Sequence, residues 1–215
     1  MRVIIFGATG MVGSEVLEQC LANDKVESIL TVGRSKSKVD HPKLKEIEHR
    51  DFLDFSTLES ELACVDVCFY CLGVYQAHVS KQQFWEITVD YLEALVRAFE
   101  RLNKNVRFCL FSAQGASTNE RSPIRFAKAK GRAENLLMAS DISEKYVFRP
   151  GFIMPGPNSK NATLSAKMFE PIYRLFPRIG IDAPELARIM IDVGMNRHEE
   201  TIFENRDMRA YGSNR

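Results

Sequence analysis

The run Val3-Ile4-Ile5-Phe6 passes without a polar residue into Gly7-Ala8-Thr9-Gly10-Met11-Val12-Gly13. Four β-branched and aromatic residues in a row have the character of a strand buried on both faces of a parallel sheet. From Val12 onward Val12, Val16, Leu17, Cys20 and Leu21 share one helical face, and Glu15, Glu18 and Gln19 share the other. Glycines at such a strand-to-helix junction let the backbone turn tightly and approach a ligand, and the free N–H groups of the helix start favour an anion. The expected ligand is a dinucleotide pyrophosphate. The spacing departs from the commonest dinucleotide fingerprint, and a plain strand-turn-helix is the alternative; the setting, directly between a buried strand and an amphipathic helix, favours the cofactor seat.

Ile29-Leu30-Thr31-Val32 reads as a second buried strand and ends in Gly33-Arg34-Ser35, with Lys36 and Lys38 close behind. An acid here would accept from both ribose hydroxyls of NAD and repel a 2′-phosphate, whereas Arg34 can make charge-assisted bonds to that phosphate. NADPH is therefore expected over NADH. Solvated turn cations are the plain alternative, and the position of Arg34 relative to the glycine turn favours the functional reading.

With 215 residues, 45% of them hydrophobic, the chain can bury one substantial core and a small appended lobe. Its 29 basic and 28 acidic side chains nearly cancel, so no global field draws it to nucleic acid or an anionic membrane, and neither is expected as a partner. The apolar run before Gly7 is too short for a secretory signal and no segment reaches the length of a membrane span, from which a cytoplasmic location is expected. The five cysteines are expected as free thiols. Cys68 and Cys71 have a Cys-x-x-Cys spacing, but residues three apart on a strand point to opposite faces, so neither a disulfide nor a metal site is expected.

Strand-like runs recur at Val3 to Phe6, Ile29 to Val32, Lys45 to His49, Val65 to Leu72, Val106 to Ser112 and Lys145 to Arg149. Helical periods fall at Met11 to Ala22, Leu58 to Leu62, Gln82 to Leu102 and Ile124 to Met138. This alternation predicts an α/β fold: a Rossmann-type doubly wound parallel sheet, order 3-2-1-4-5-6, with helices on both faces and its ligand crevice outside the carboxyl ends of the strands. A single domain over residues 1–215 is expected, with residues 154–180 as a small substrate lobe or lid containing the apolar segment Leu164 to Phe176. A helix from Ala183 to Asn196, a short strand from Thr201 to Glu204 and a fraying tail after Asp207 complete the expectation.

The strand ends carry the candidate chemistry. Asp51 and Phe52 follow the third strand, where a carboxylate and its neighbouring backbone can reach an adenine edge; an Asp capping the next helix is the equal alternative. Cys71-Leu72-Gly73 ends the fourth strand, and Gly73 permits close approach of a ligand. Ser112 ends the fifth, its hydroxyl expected to bond a substrate carbonyl, and Lys130 follows in the next helix, expected to hold the nicotinamide ribose and depress the pKa of a nearby acid.

Together, Gly7-x-x-Gly10-x-x-Gly13, Arg34, Asp51, Leu72-Gly73, Ser112, Lys130 and Arg149-Pro150-Gly151 resemble the short-chain dehydrogenase/reductase superfamily. The resemblance is to its atypical NAD(P)H-binding branch, which includes Tat-interacting-protein-like oxidoreductases and is related to NmrA-like proteins. It covers nearly the whole chain. It implies a cofactor held by Gly7, Thr9, Gly10, Met11, Val12, Gly13, Arg34, Asp51, Phe52, Cys71, Leu72, Gly73, Ser112, Lys130, Pro150, Gly151 and Phe152. Members reduce carbonyls or oxidise alcohols with a Ser, a Tyr and a Lys, the last two spaced Tyr-x-x-x-Lys. Ser112 and Lys130 match by position as catalytic residues, whereas Phe126 stands where the Tyr would be and Thr88 near where many members carry an Asn.

Phenylalanine can neither give nor take a proton, a function that typically contributes about 10²–10⁴-fold to such reactions. Tyr75 and His78, after the fourth strand, are the nearest alternative donors by topology, against their plain reading as surface residues. Three readings follow: an NADPH-dependent oxidoreductase acting on an unidentified small carbonyl substrate, a non-catalytic NADPH sensor signalling to a protein partner, and, last, an isomerase or epimerase of related fold.

Overall fold

A computed structural model describes residues 1–156 and 179–213. Strands β1 (Arg2–Phe6), β2 (Ser28–Gly33), β3 (Leu44–Glu48), β4 (Val67–Tyr70), β5 (Arg107–Phe111), β6 (Glu144–Arg149) and β9 (Ile202–Glu204) form one sheet in the order β3-β2-β1-β4-β5-β6-β9. Every neighbouring pair is parallel. The expected order therefore appears with β9 added at the far edge. β7 (Phe152–Met154) and β8 (Gly180–Asp182) make a separate parallel pair, with Phe152 opposite Gly180.

The buried strands divide their side chains between two cores, as a period of two requires. Val3 and Ile5 of β1 face α1 (Met11–Leu21) and α6 (Ala183–Met195), where Val12, Val16, Leu186 and Met190 meet Phe69 and Phe148. Ile4 and Phe6 face the other layer, built on α2 (Glu59–Leu62), α4 (Tyr91–Leu102) and α5 (Arg125–Ala139), where Leu62, Leu92, Phe99 and Leu137 meet Phe108. Each of these large side chains contributes about 1.5–3 kcal/mol through burial. Cys68 lies in the second core and Cys71 in the first, on opposite faces of the sheet.

Three features depart from the sequence reading. The helical period from Gln82 to Leu102 is broken into α3 (Lys81–Trp85), a π turn at Glu86–Asp90 and α4. Ser80 and Gln83 start α3 with a reciprocal capping box. The tail does not fray: α7 (Asn205–Ser213) continues from β9 because Met208 is fully buried in the α1/α6 core, an apolar anchor that a polar-looking tail concealed. The fourth strand ends at Tyr70, although Cys71 N still donates to Phe6 O at 2.9 Å. The segment Leu164 to Phe176, and with it most of the lobe expected over residues 154–180, lies outside the described residues.

Order reverses beside β1, whose neighbours are β2 and β4, so the loops after β1 and β4 diverge and leave a crevice between them. The glycines after β1 do unequal work there. Gly13 packs α1 directly on the turn, since a Cβ on it would stand 2.1 Å from Gly7 O, while a Cβ on Gly10 would meet only Gly7 O at 3.2 Å. Gly13→Ala should therefore cost about 3 kcal/mol by forcing α1 off the loop. Gly10→Ala should cost no more than about 1 kcal/mol, that of a poorer N-cap, and urea unfolding of both variants distinguishes the two roles.

Candidate functional site

The turn after β1 is built for a close neighbour. Gly7 has φ +82°, a left-handed conformation, and a Cβ there would lie 2.7 Å from Cys71 O at the end of β4. Gly10 N donates to Gly7 O at 2.9 Å and closes the turn. Gly10 is the N-cap of α1, no side chain caps that helix, and no acid stands in its first turn. Its leading N–H groups thus remain without intrahelical partners at the positive end of the helix dipole. Gly10, Met11 and Val12 all border the crevice. This bare backbone cradle fits a pyrophosphate.

One half of the crevice, about 160 Å³, is lined by Gly7, Thr9, Gly10, Thr31, Gly33, Arg34, Leu72 and Gly73. Arg34 is exposed there and makes no hydrogen bond or ion pair among the described residues. Glu46, beside β2, is already engaged: its Oε2 accepts from Thr31 Oγ1 at 3.1 Å and from Ser37 N at 2.7 Å. Asp51 and Phe52 are not brought to the lining. Asp51 Oδ1 accepts from Leu53 N at 3.0 Å, a local turn in place of the helix cap of its alternative reading, since Leu58, and no Asp, stands at the N-cap of α2. The Phe52 ring is 1% exposed and stacks on Tyr91 at 5.3 Å. The charges of Asp51 and Arg34 both act on the Tyr91 hydroxyl.

The other half, about 340 Å³, is bordered by Gly10, Met11, Val12, Cys71, Gly73, Val74, Tyr75, Phe84, Thr88, Phe111, Ser112, Phe126, Lys130, Gly151, Phe152 and Ile153. Pro150 is buried beside it; its carbonyl accepts from Gln114 N at 2.8 Å. Gly151 N donates to Asn205 Oδ1 at 3.0 Å, tying this wall to α7.

Ser112 lines the crevice but its proton is committed elsewhere. Its Oγ donates to Glu134 Oε1 at 2.5 Å, in a place where Ser112 is 2% and Glu134 1% exposed. Arg149 clamps the same carboxylate from Nε, 3.1 Å from both oxygens, and from Nη2 at 2.5 Å, and its Nη1 reaches Glu204 at 2.7 Å. A buried carboxylate needs such charge-assisted donors. The expectation that the Ser112 hydroxyl donates to a substrate carbonyl is thus corrected: towards the crevice it offers lone pairs. Glu134 was not singled out in the sequence, although it stands one helical turn after Lys130; its partner Arg149 comes from a distant strand, so only folding reveals the pair.

Lys130 Nζ donates weakly to Phe111 O at 3.4 Å and sits 5.5 Å from the Phe111 ring centroid. It has no ion pair. Burial pushes its pKa down to about 8, opposed by the charge of Glu134. Cys71, beside it, is pushed up to about 12 by burial and stays a thiol. Phe126, one turn before Lys130, stacks on Phe84 with ring centroids 6.1 Å apart. Tyr75 borders the crevice, 55% exposed, whereas His78 packs edge-on against Tyr75 at 5.5 Å and does not line it. Thr88 is held at the wall by the π turn, a distortion that recurs at functional sites. The sequence carries no signal for that turn.

A family model described as NAD(P)H-binding matches residues 7–172. A relative from Aspergillus terreus, the mitochondrial protein fmp52-2, is 28% identical over 179 residues, 82% of this chain and 75% of that protein. Protein HTATIP2 of Rattus norvegicus is 24% identical over 155 residues, 71% of this chain and 62% of that protein. Among solved structures, the yeast methylglyoxal/isovaleraldehyde reductase Gre2 complexed with NADPH superposes with a TM-score of 0.72 at 14% identity, covering 95% of this chain and 78% of its own. The Bordetella bronchiseptica enzyme WbmG in complex with NAD gives 0.72 at 18% identity, covering 95% of this chain and 72% of its own. The cytoplasmic expectation is corrected by these relatives, since the fmp52 proteins are named mitochondrial. The lack of a long apolar segment speaks to secretory signals and membrane spans; organelle transit peptides are amphipathic and leave no such mark. Among the described residues no helix is long and apolar enough to cross a membrane. The phosphate cradle, the sheet order and the family match agree: the chain belongs to the NAD(P)H-binding family of Rossmann-fold, oxidoreductase-like proteins.

Proposed function

We propose that the protein is an NADPH-dependent oxidoreductase that reduces a small carbonyl compound in the crevice between β1, β4 and β5. The observation that carries this reading is the placement of Lys130, with its amino group pushed down to about 8, on the same crevice as the bare phosphate cradle at Gly10. Arg34, exposed and without a side-chain partner among the described residues, favours a 2′-phosphate over a plain ribose.

Bound reduced nicotinamide supplies a hydride to an electrophilic carbon. Gly10, Met11 and Val12 hold the phosphates by backbone, and Arg34 holds the 2′-phosphate. Val74, Phe126, Phe152 and Ile153 make the substrate half apolar and exclude water. With Phe126 lacking a hydroxyl, Ser112 donating to Glu134 and Tyr75 exposed at the border, the Lys130 ammonium is the group that gives a proton to the substrate oxygen. A depressed pKa makes it a stronger acid at neutral pH than an ordinary lysine.

A second reading, the NADPH sensor, draws on the same Phe126, whose ring is spent on stacking with Phe84. Turnover separates the two: NADPH consumption with a panel of aldehydes, ketones and quinones is expected for the enzyme, and its absence alongside tight NADPH binding would leave the sensor.

Arg34→Ala should weaken NADPH binding by about 1.5 kcal/mol or more and leave NADH almost unchanged. Titration calorimetry showing equal losses for both cofactors would remove the 2′-phosphate assignment. The proton-donor role predicts a pH dependence of definite sign. Lys130 is the active acid when protonated, so kcat should fall as pH rises through about 8, and Lys130→Arg should move that limb upward; a profile unchanged in Lys130→Arg would exclude it. Phe126→Tyr adds a hydroxyl one turn from Lys130 on a partly buried ring that borders the crevice, so it should cost little stability and raise carbonyl reduction by about 10²-fold. A rate unchanged or lowered in steady-state assays would show that the donor in place already suffices.

A further inference from the structure

A second cavity, about 330 Å³, opens on the outer side of Phe84, the ring that also borders the main crevice. Its floor is apolar, with Val79, Phe84 and Trp85, and its rim carries Lys81, Arg125 and Lys128 together with Gln76. Among the described residues no carboxylate lines it. The three cations are exposed and make no hydrogen bond or ion pair through their side chains among the described residues. Other surface cations lie against carboxylates, Lys45 with Glu61, Arg101 with Glu59, Lys104 with Asp141 and Arg132 with Glu120, whereas these three share one hollow. In a chain of 29 basic and 28 acidic residues, an unpaired trio converging on one apolar hollow is a local imbalance with a direction.

We infer that this cavity holds the anionic end of the substrate: the carboxylate or phosphate of a small organic anion whose aromatic or aliphatic body lies on Trp85 and Phe84. The inference rests on the reading of the adjoining crevice as the site of reduction, and it adds the substrate class. Phe84 borders both spaces and is itself stacked on Phe126, so an anion seated here lies against the same wall that faces the crevice lined by Lys130. Arg125 and Lys128 supply charge-assisted donors on one helix, and Lys81 faces them from α3. The aromatic floor supplies apolar contact, the combination that a charged headgroup and a hydrophobic body require.

Trp85 is the only tryptophan in the chain, so its fluorescence reads this cavity directly in the unmodified full-length protein. Phenyl phosphate and benzoate are the probes, with benzyl alcohol as the neutral control and inorganic phosphate as the headgroup alone. A saturable change in Trp85 emission is expected with one or both organic anions, binding about tenfold more tightly than benzyl alcohol and weakening as salt is raised. Phenyl phosphate against benzoate tells which oxyanion is preferred. Lys128→Glu should weaken the preferred probe about tenfold or more while NADPH affinity by calorimetry stays unchanged, and Arg125→Gln serves as the second variant if the first fails to fold. Equal binding of benzyl alcohol, equal binding of inorganic phosphate alone, or no saturable change would overturn the inference. So would a response to heparin but to neither small anion, which would mark a surface for a macromolecule. Because the measurement needs no turnover, an inactive protein that still binds phenyl phosphate at Trp85 would count against the reductase reading and not against the anion cavity.

Discussion

The backbone of Gly7 is held between two neighbours that leave no room for a side chain: α1 presses on it through Gly13, and the end of β4 passes it at Cys71. That contact fixes where the first helix starts relative to the sheet. It also fixes where β4 releases the chain, and so sets the width of the crevice between the two loops. The sheet order makes a gap there inevitable, because β2 and β4 leave β1 in different directions. The glycine turn decides that the gap is lined by N–H groups rather than side chains. Everything polar in the site is then arranged around a backbone surface that an anion can approach.

On the substrate side the organising element is a buried ion pair. Glu134 and Arg149 tie α5 to β6, Ser112 ties the pair to the end of β5, and Glu204 extends it to β9. Such pairs add little net stability, because taking both charges from water is costly. Their effect is positional: α5 is locked in rotation, and with it Phe126 and Lys130 are aimed into the crevice. The same arrangement removes Ser112 as a donor, which is why the proposed proton transfer falls to Lys130. The third small core, where Phe84 packs with Phe126, gives α5 its second anchor and divides the main crevice from the cationic hollow outside it.

The family's chemistry and this chain's residues thus meet only in part. The half of the crevice at the glycine turn offers bare backbone and Arg34, and the other half keeps Lys130 while presenting an aromatic hydrocarbon one turn before it. An amine brought down by burial is a physically adequate acid, and here burial outweighs the nearby Glu134 charge that would raise its pKa again.

The amino-acid order alone determined the parallel α/β sheet, the strand order, the glycine turn and the cation after β2, because each rests on local periodicity or on residues adjacent in the chain. It placed Lys130, Phe126 and Tyr75 by topology, and all border the crevice. Tertiary structure decided what those groups touch. The clamp on Glu134 joins residues 112, 134, 149 and 204, which no local pattern connects. The π turn at Thr88 and the burial of Met208 are likewise outcomes of packing, in which whole-domain burial overrides what short segments prefer. Strand period and turn chemistry are properties of a few neighbouring residues, whereas proton affinity and side-chain direction depend on which distant groups exclude water from the same small space.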